Sequence, residues 1–276
     1  MSFLKQEYSM FLWVVRAELH AYFSWLRNNR LFAFMMLVWP YLFAFFMIGL
    51  GVLLGSLSVY AERMGVSNPL FYIIVASGVL VSSLNIMDTI VWSLVDYKWL
   101  GILPYIIVSP PGFRRVSVYG LTIPSIISGF ISLTSILPAV LFLEGWLGCF
   151  KLFIILLIVY IGMLPLIGLG VFLASITLML KEESFVSFLS PFMLLVSGVY
   201  YPLSVLPWFL SIIARIFPVT YVVEAVKLVS VLGYPDISRL LQIVGLLFIL
   251  MIVYNLLFFP AVKRAEYFVK KKGVAV

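Results

Sequence analysis

Asp88 is the ionisable side chain set well inside an apolar stretch, and it shares a helical face with Asn85, Ser82 and Gly78. A carboxyl at such depth is costly enough to mark a functional position by default. Three readings follow: lining of a translocation path, contact with a second copy, or a hydrogen bond to a neighbouring helix. Lys98, Arg114 and Arg115 bracket a short polar connection further along. Glu224 and Lys227 stand three residues apart, the spacing of a local ion pair on one helix face. Other chemistry lacks its residues. One cysteine, Cys149, and one histidine, His20, supply neither a disulfide framework nor a zinc site. No Gly-Lys pair occurs, so the chain has no loop of the type that cradles nucleotide phosphates. No paired carboxylates or Ser/His arrangement stand near a membrane interface. The chain therefore reads as a non-enzyme with no cofactor of its own.

The elements that must position these residues belong to a membrane protein. Of 276 residues, 64% are hydrophobic and 11% charged, against about a quarter charged in a soluble domain. A mean hydropathy of +1.19 needs lipid as solvent. The expected fold is an all-α integral membrane protein in three parts. Residues 1–30 form an amphipathic helix lying in the interface. Its apolar stripe is Tyr8, Phe11, Leu12, Val15, Leu19, Tyr22, Phe23 and Leu26, and its polar face Lys5, Ser9, Arg16, His20, Ser24 and Arg27. Residues 31–260 hold six spans, at 31–60, 69–95, 116–143, 152–180, 185–206 and 240–260. Pro40, Pro124, Pro138 and Pro165 inside them predict kinks. The stretch 207–236 is too polar and broken for one lipid-facing span, yet residues 209–216 and 221–232 suit two short helices. A re-entrant hairpin fits. Residues 261–276 form a basic tail whose Lys270, Lys271 and Lys272 suit anionic headgroups rather than nucleic acid.

Lysine and arginine set the orientation. With the N-terminus in the cytoplasm, the inside set is Lys5, Arg16, Arg27, Arg30, Lys98, Arg114, Arg115, Lys181, Lys263, Arg264, Lys270, Lys271 and Lys272. The outside set is only Arg63, Lys151, Arg215, Lys227 and Arg239. This bias places both termini in the cytoplasm, the hairpin outside, and the protein in the cytoplasmic membrane. Gly51 and Gly55 have the spacing that lets two helix backbones approach closely.

Two stretches carry a family resemblance. The inside loop 96–116 runs through Asp96, Lys98, Gly101, Leu103, Ser109, Pro110, Arg114 and Arg115. The outside stretch holds Ser197, Gly198, Pro202 and Pro207, then Pro218, Thr220, Tyr221, Glu224 and Lys227. With six spans, this ordered set resembles the permease subunits of type-2 ABC exporters, the ABC-2 transporter family, over nearly the whole chain. Two positions depart from the family pattern. Pro104 stands where glutamate is common, and Phe217 replaces the usual asparagine before Pro218.

The resemblance implies a permease that pairs with a second copy or a related permease and borrows ATP hydrolysis from a separate cytoplasmic ATPase. ATP and Mg would then sit on that partner. It implies that loop 96–116 is the coupling element docking into the ATPase. Substrate would move outward, with amphipathic drugs, antibiotics or lipid-like molecules as the first class and lipid-linked glycans as the alternative. From the residues alone, an ion-coupled transporter using Asp88 is the other reading.

Overall fold

The computed structural model describes residues 2–53, 56–180, 192–193, 195–230 and 236–272, and among these the chain is helical with no strand. Its elements in order are α1 (Ser2–Asn28), α2 (Arg30–Leu53), α3 (Leu57–Met64), α4 (Pro69–Trp99), α5 (Leu103–Val108) and α6 (Gly112–Arg115). A π-turn at Val116–Gly120 leads to α7 (Thr122–Thr134) and α8 (Leu137–Leu180). After a 3-10 turn at Leu203–Val205 come α9 (Trp208–Ile216), α10 (Pro218–Ser230) and α11 (Ile237–Lys272).

The centre of the bundle is α4. Asn68 accepts the Phe71 N–H at 3.1 Å, and Pro69 fills the first turn, where a missing N–H costs nothing. Apolar residues then occur on every side of the helix, the composition of one that is buried all round. It packs against α8, α7, α2 and α10. By contrast, α2 and α11 leave broad apolar faces exposed, including Phe45, Phe46, Leu256 and Leu257. Five helices are long and apolar enough to cross a bilayer, and α9 with α10, meeting at 91°, make a bent pair that would be a sixth if counted as one span. The chain has the architecture of a multi-pass helical membrane protein.

Several expected boundaries move, each for a local reason. The first span stops at Leu53, and Leu57–Met64 is a separate helix, opened by Ser56 accepting the Val59 N–H and closed by Gly65 at φ 68°. The third begins in the π-turn, where Leu121 N–H reaches Val116 O at 3.1 Å and Pro124 has no N–H for Gly120. It ends at Thr134 rather than Leu143. Pro138 cannot donate to the Thr134 carbonyl, and the Thr134 and Ser135 hydroxyls turn back onto Phe130 O and Ser132 O. Residues 137–143 join α8 instead, which is broken at Gly145 (φ 60°, ψ −144°). From Ser197 the chain is irregular, so a fifth span does not reach Leu206. The last helix runs through Pro260 to Lys272, making the expected tail helical and burying Val262, Ala265 and Val269. Residues 185–191 and 194 of the expected fifth span, Lys181, Gly55, residues 231–235 and the end of the tail lie outside the described residues, as do the side chains of Lys5 and Lys272.

The apolar stripe of the first helix is divided: Val15, Leu19, Tyr22 and Leu26 turn toward the bundle together with Glu7, Val14 and Glu18, while Tyr8, Phe11, Leu12 and Phe23 are exposed.

Candidate functional site

Two groups of residues singled out from the sequence gather at opposite ends of α4. At about 1.5 Å per residue its 31 residues separate them by roughly 45 Å.

At the C-terminal end, α4 closes on itself. Leu100 N–H returns to Asp96 O at 2.8 Å, Gly101 N–H to Lys98 O at 3.1 Å, and Ile102 N–H to Tyr97 O at 2.9 Å. Gly101 can do this because its φ of 66° suits only a residue without a side chain. Pro104 then occupies the first turn of α5, which accounts for a proline where the resemblance expects glutamate. Ser109 ends α5 with its hydroxyl on Ile106 O at 2.6 Å, and Pro110, Pro111 and Gly112 (φ 71°) reverse the chain into α6. Leu103 and Phe113 are fully buried anchors. Outward stand Trp99, Leu100, Tyr105 and Val108, the last two 75% and 82% exposed, with Arg114 also at the surface. Lys98 lies 5.9 Å from the Trp99 ring centroid.

Two residues of this end escape a sequence reading. Glu7 pairs with Arg115 at 2.5 Å, and Glu18 accepts the Tyr97 hydroxyl, so α1 clamps both sides of the loop. Burial raises the Glu18 carboxyl above its ordinary range, opposed by the Tyr97 hydrogen bond. The π-turn comes so close that a Cβ on Gly120 would lie 2.8 Å from Glu18 Cγ and 3.0 Å from Val14 Cγ1. The available signal was the spacing of eleven residues, three helical turns, between two acids opposite a basic pair.

At the N-terminal end, Ser197, Gly198, Pro202, Thr220, Tyr221, Glu224 and Lys227 line one cavity of about 590 Å³, together with Gly65, Arg215 and Arg239. Gly198 turns at φ 73°, and a Cβ there would stand 3.0 Å from Leu203 Cδ2. Tyr60 and Tyr72 both donate to Val199 O, at 3.3 and 3.2 Å, tying this segment to α3 and α4. Ser67 donates to Ser230 O at 2.7 Å. Glu144 holds the neighbouring turn, bonding Asn68 at 3.0 Å and Lys151 at 2.7 Å. Pro207 and Pro218 precede and open α9 and α10. Between them Thr220 Oγ1 donates to Ala214 O at 2.7 Å, and Phe217 packs edge-on to Phe192 at 6.4 Å. Phe217 thus fills an apolar corner where the resemblance expects a capping asparagine. Glu224 makes its close ion pair with Arg239, at 2.7 Å, and Lys227 interacts with the same carboxylate at longer range.

Between the ends, Asn85 donates to Ser132 at 2.5 Å. A Cβ on Gly129 would lie 3.0 Å from Ser82 Oγ and 2.6 Å from Ile86 Cγ1, and one on Gly78 would lie 2.8 Å from Ile136 Cδ1. The polar stripe therefore faces α7 and the turn beyond it within this chain, with Asp88 half-buried one turn further on. Among the described residues, no group of three His, Cys, Asp or Glu could hold a metal.

No protein-family model matches this sequence, and no curated protein matches it. Fold and site define a multi-pass helical membrane protein with a polar cavity at one end of its central helix and an exposed apolar helix at the other.

Proposed function

We propose that this chain is the membrane-spanning permease subunit of an ATP-driven exporter of the ABC-2 type. Two permeases would work with a separate ATPase docked on loop 96–116, moving an amphipathic or lipophilic substrate toward the cavity end. One observation carries the reading. Seven of the nine signature residues, all but Pro207 and Pro218, converge on one cavity, while α5 stands exposed at the far end of the same helix. An apolar helix with a basic neighbour, held by the buried Leu103 and Phe113, suits a protein partner better than water.

In this reading six spans cross the membrane, α1 lies in the cytoplasmic interface, and both termini are cytoplasmic. The hairpin of α9 and α10 is re-entrant on the outside. Supporting that, Glu224 meets Arg239 in the first turn of α11, whereas Ile216 O accepts from Tyr254 far along it. So α10 starts deep beside α11 and climbs toward its rim. ATP and Mg stay on the partner, and their binding pulls α5. The central helix passes the motion to the cavity end as a shift between two packed states. Purification of the full chain from its native membrane tests this. A near-stoichiometric ATPase should co-purify and be released by Tyr105→Glu with Val108→Glu; a chain that comes alone sinks the reading.

A further inference from the structure

The cavity at the N-terminal end of α4 carries more positive charge than its own acid can balance. Arg215, Lys227 and Arg239 face a single carboxylate, Glu224, and Arg239 takes it at 2.7 Å. The nearby Asp236 is engaged at the start of α11, accepting from Ser238 N–H, Ser238 Oγ and Arg239 N–H. Among the described residues neither Arg215 nor Lys227 makes an ion pair within 4 Å; Lys227 shares the field of Glu224 with Arg239, and is half-buried, 6.0 Å from the Tyr72 ring centroid. Arg215 is exposed at the cavity's edge and Lys227 is partly desolvated inside it, so an anion that enters meets two positive charges, one of them costly to leave uncompensated.

Depth and surroundings identify the kind of anion. Gly65 lies just before α4 and Arg239 in the first turn of α11, so the cavity sits where two membrane-crossing helices begin. That is headgroup level. Beside it, α9 exposes Trp208, Ile212 and Ile216, with Arg215 three residues past Ile212 on the same side. A charged head against the cations leaves an acyl or other apolar chain to lie along this stripe.

We propose that the cavity binds the phosphate head of an anionic amphiphile, held by Arg215 and Lys227, with its tail along α9. That the ligand is also the cargo rests on the exporter reading; that it binds does not.

Native mass spectrometry of the full chain in a neutral detergent tests the binding, with phosphatidylglycerol, phosphatidylcholine of the same chains, and inorganic phosphate as probes. Phosphatidylglycerol should bind about tenfold or more tighter than phosphatidylcholine, the scale of one charge-assisted hydrogen bond. Arg215→Gln and Lys227→Met should each remove that preference, and Arg63→Gln should keep it. Should a cavity variant fail to fold, quenching by phosphatidylglycerol with brominated tails serves in its place, and Trp208→Phe should remove part of it. Equal binding of the two lipids, a preference that survives both cavity variants, or competition by inorganic phosphate at lipid-like concentrations would each overturn the proposal. The ATPase co-purification is read separately. A headgroup preference without an ATPase sinks the exporter reading alone, and an ATPase without a preference sinks this proposal alone.

Discussion

Glu7 and Arg115, 108 residues apart in sequence, meet at 2.5 Å and fasten the first helix to the loop between α4 and α7. Arg115 also donates to Pro111 O at 3.4 Å, so one guanidinium holds the Pro-Pro turn and the N-terminal helix together. About a third of each charged side chain is exposed, 28% for Arg115 and 37% for Glu7, which limits the pair to about 0.2–1 kcal/mol. Arg115→Glu should therefore loosen α1 without unfolding the bundle, and the swapped double variant Glu7→Arg with Arg115→Glu should restore it. Limited trypsin digestion at Arg16 reads this directly. If the swap digests as fast as the single variant, the contact does not hold α1.

Glu18 gives α1 a pH dependence whose sign is fixed by burial. Its carboxyl is raised in the folded protein, so the folded state binds the proton more tightly than the unfolded chain. Its contribution is greatest below the ordinary carboxylate range and falls as pH climbs through the raised value. Glu18→Gln stays neutral and still offers an oxygen to the Tyr97 hydroxyl. The variant should flatten the decline in thermal midpoint between acid and neutral pH. A variant whose pH profile matches the parent would place the dependence elsewhere.

How much of this was readable beforehand follows from which residues decide each element. Asn68-Pro69 starts α4 by local capping, and the unbroken apolar run that follows needs no tertiary knowledge. Pro138 marks the end of α7 equally locally, but its effect also depends on Thr134 and Ser135 turning their hydroxyls back, which spacing alone does not reveal. Gly145 looks like any glycine in an apolar run until its positive φ is seen. The signature residues 197–227 were legible as a set, whereas Arg239, the close ion-pair partner of Glu224, lies across residues 231–235. Glu7 and Glu18 were hidden because both acids lie outside the apolar stripe of α1 and outside its basic face, and their partners Arg115 and Tyr97 come from a distant loop.

At Gly162, α8 comes close to the hairpin. A Cβ there would lie 2.4 Å from Val222 Cγ2, on a β-branched side chain with little freedom to turn away. Gly162→Ala should cost about 1–3 kcal/mol, as overpacking of a tight contact does. Adding Val222→Ala should recover most of that loss, because it removes the methyl that clashes. Thermal midpoints of the parent, both single variants and the double variant close the cycle. Additive losses would mean that α8 and α10 do not press on each other at this point.

Two phenols share one carbonyl at the cavity wall, and that redundancy has a measurable consequence. Tyr60 and Tyr72 reach Val199 O at 3.3 and 3.2 Å, the first from α3 and the second from within α4, where its ring is fully buried. Each bond alone contributes about 1 kcal/mol, but losing one leaves the carbonyl satisfied by the other. Tyr60→Phe and Tyr72→Phe should each be mild. The double variant strands a buried acceptor and should cost more than the sum of the two, by roughly 1 kcal/mol or more. Because Val199 adjoins Gly198 in the cavity lining, the same double variant should weaken phosphatidylglycerol binding more than either single one. Strict additivity in both stability and binding would show that the shared carbonyl does not set the cavity wall.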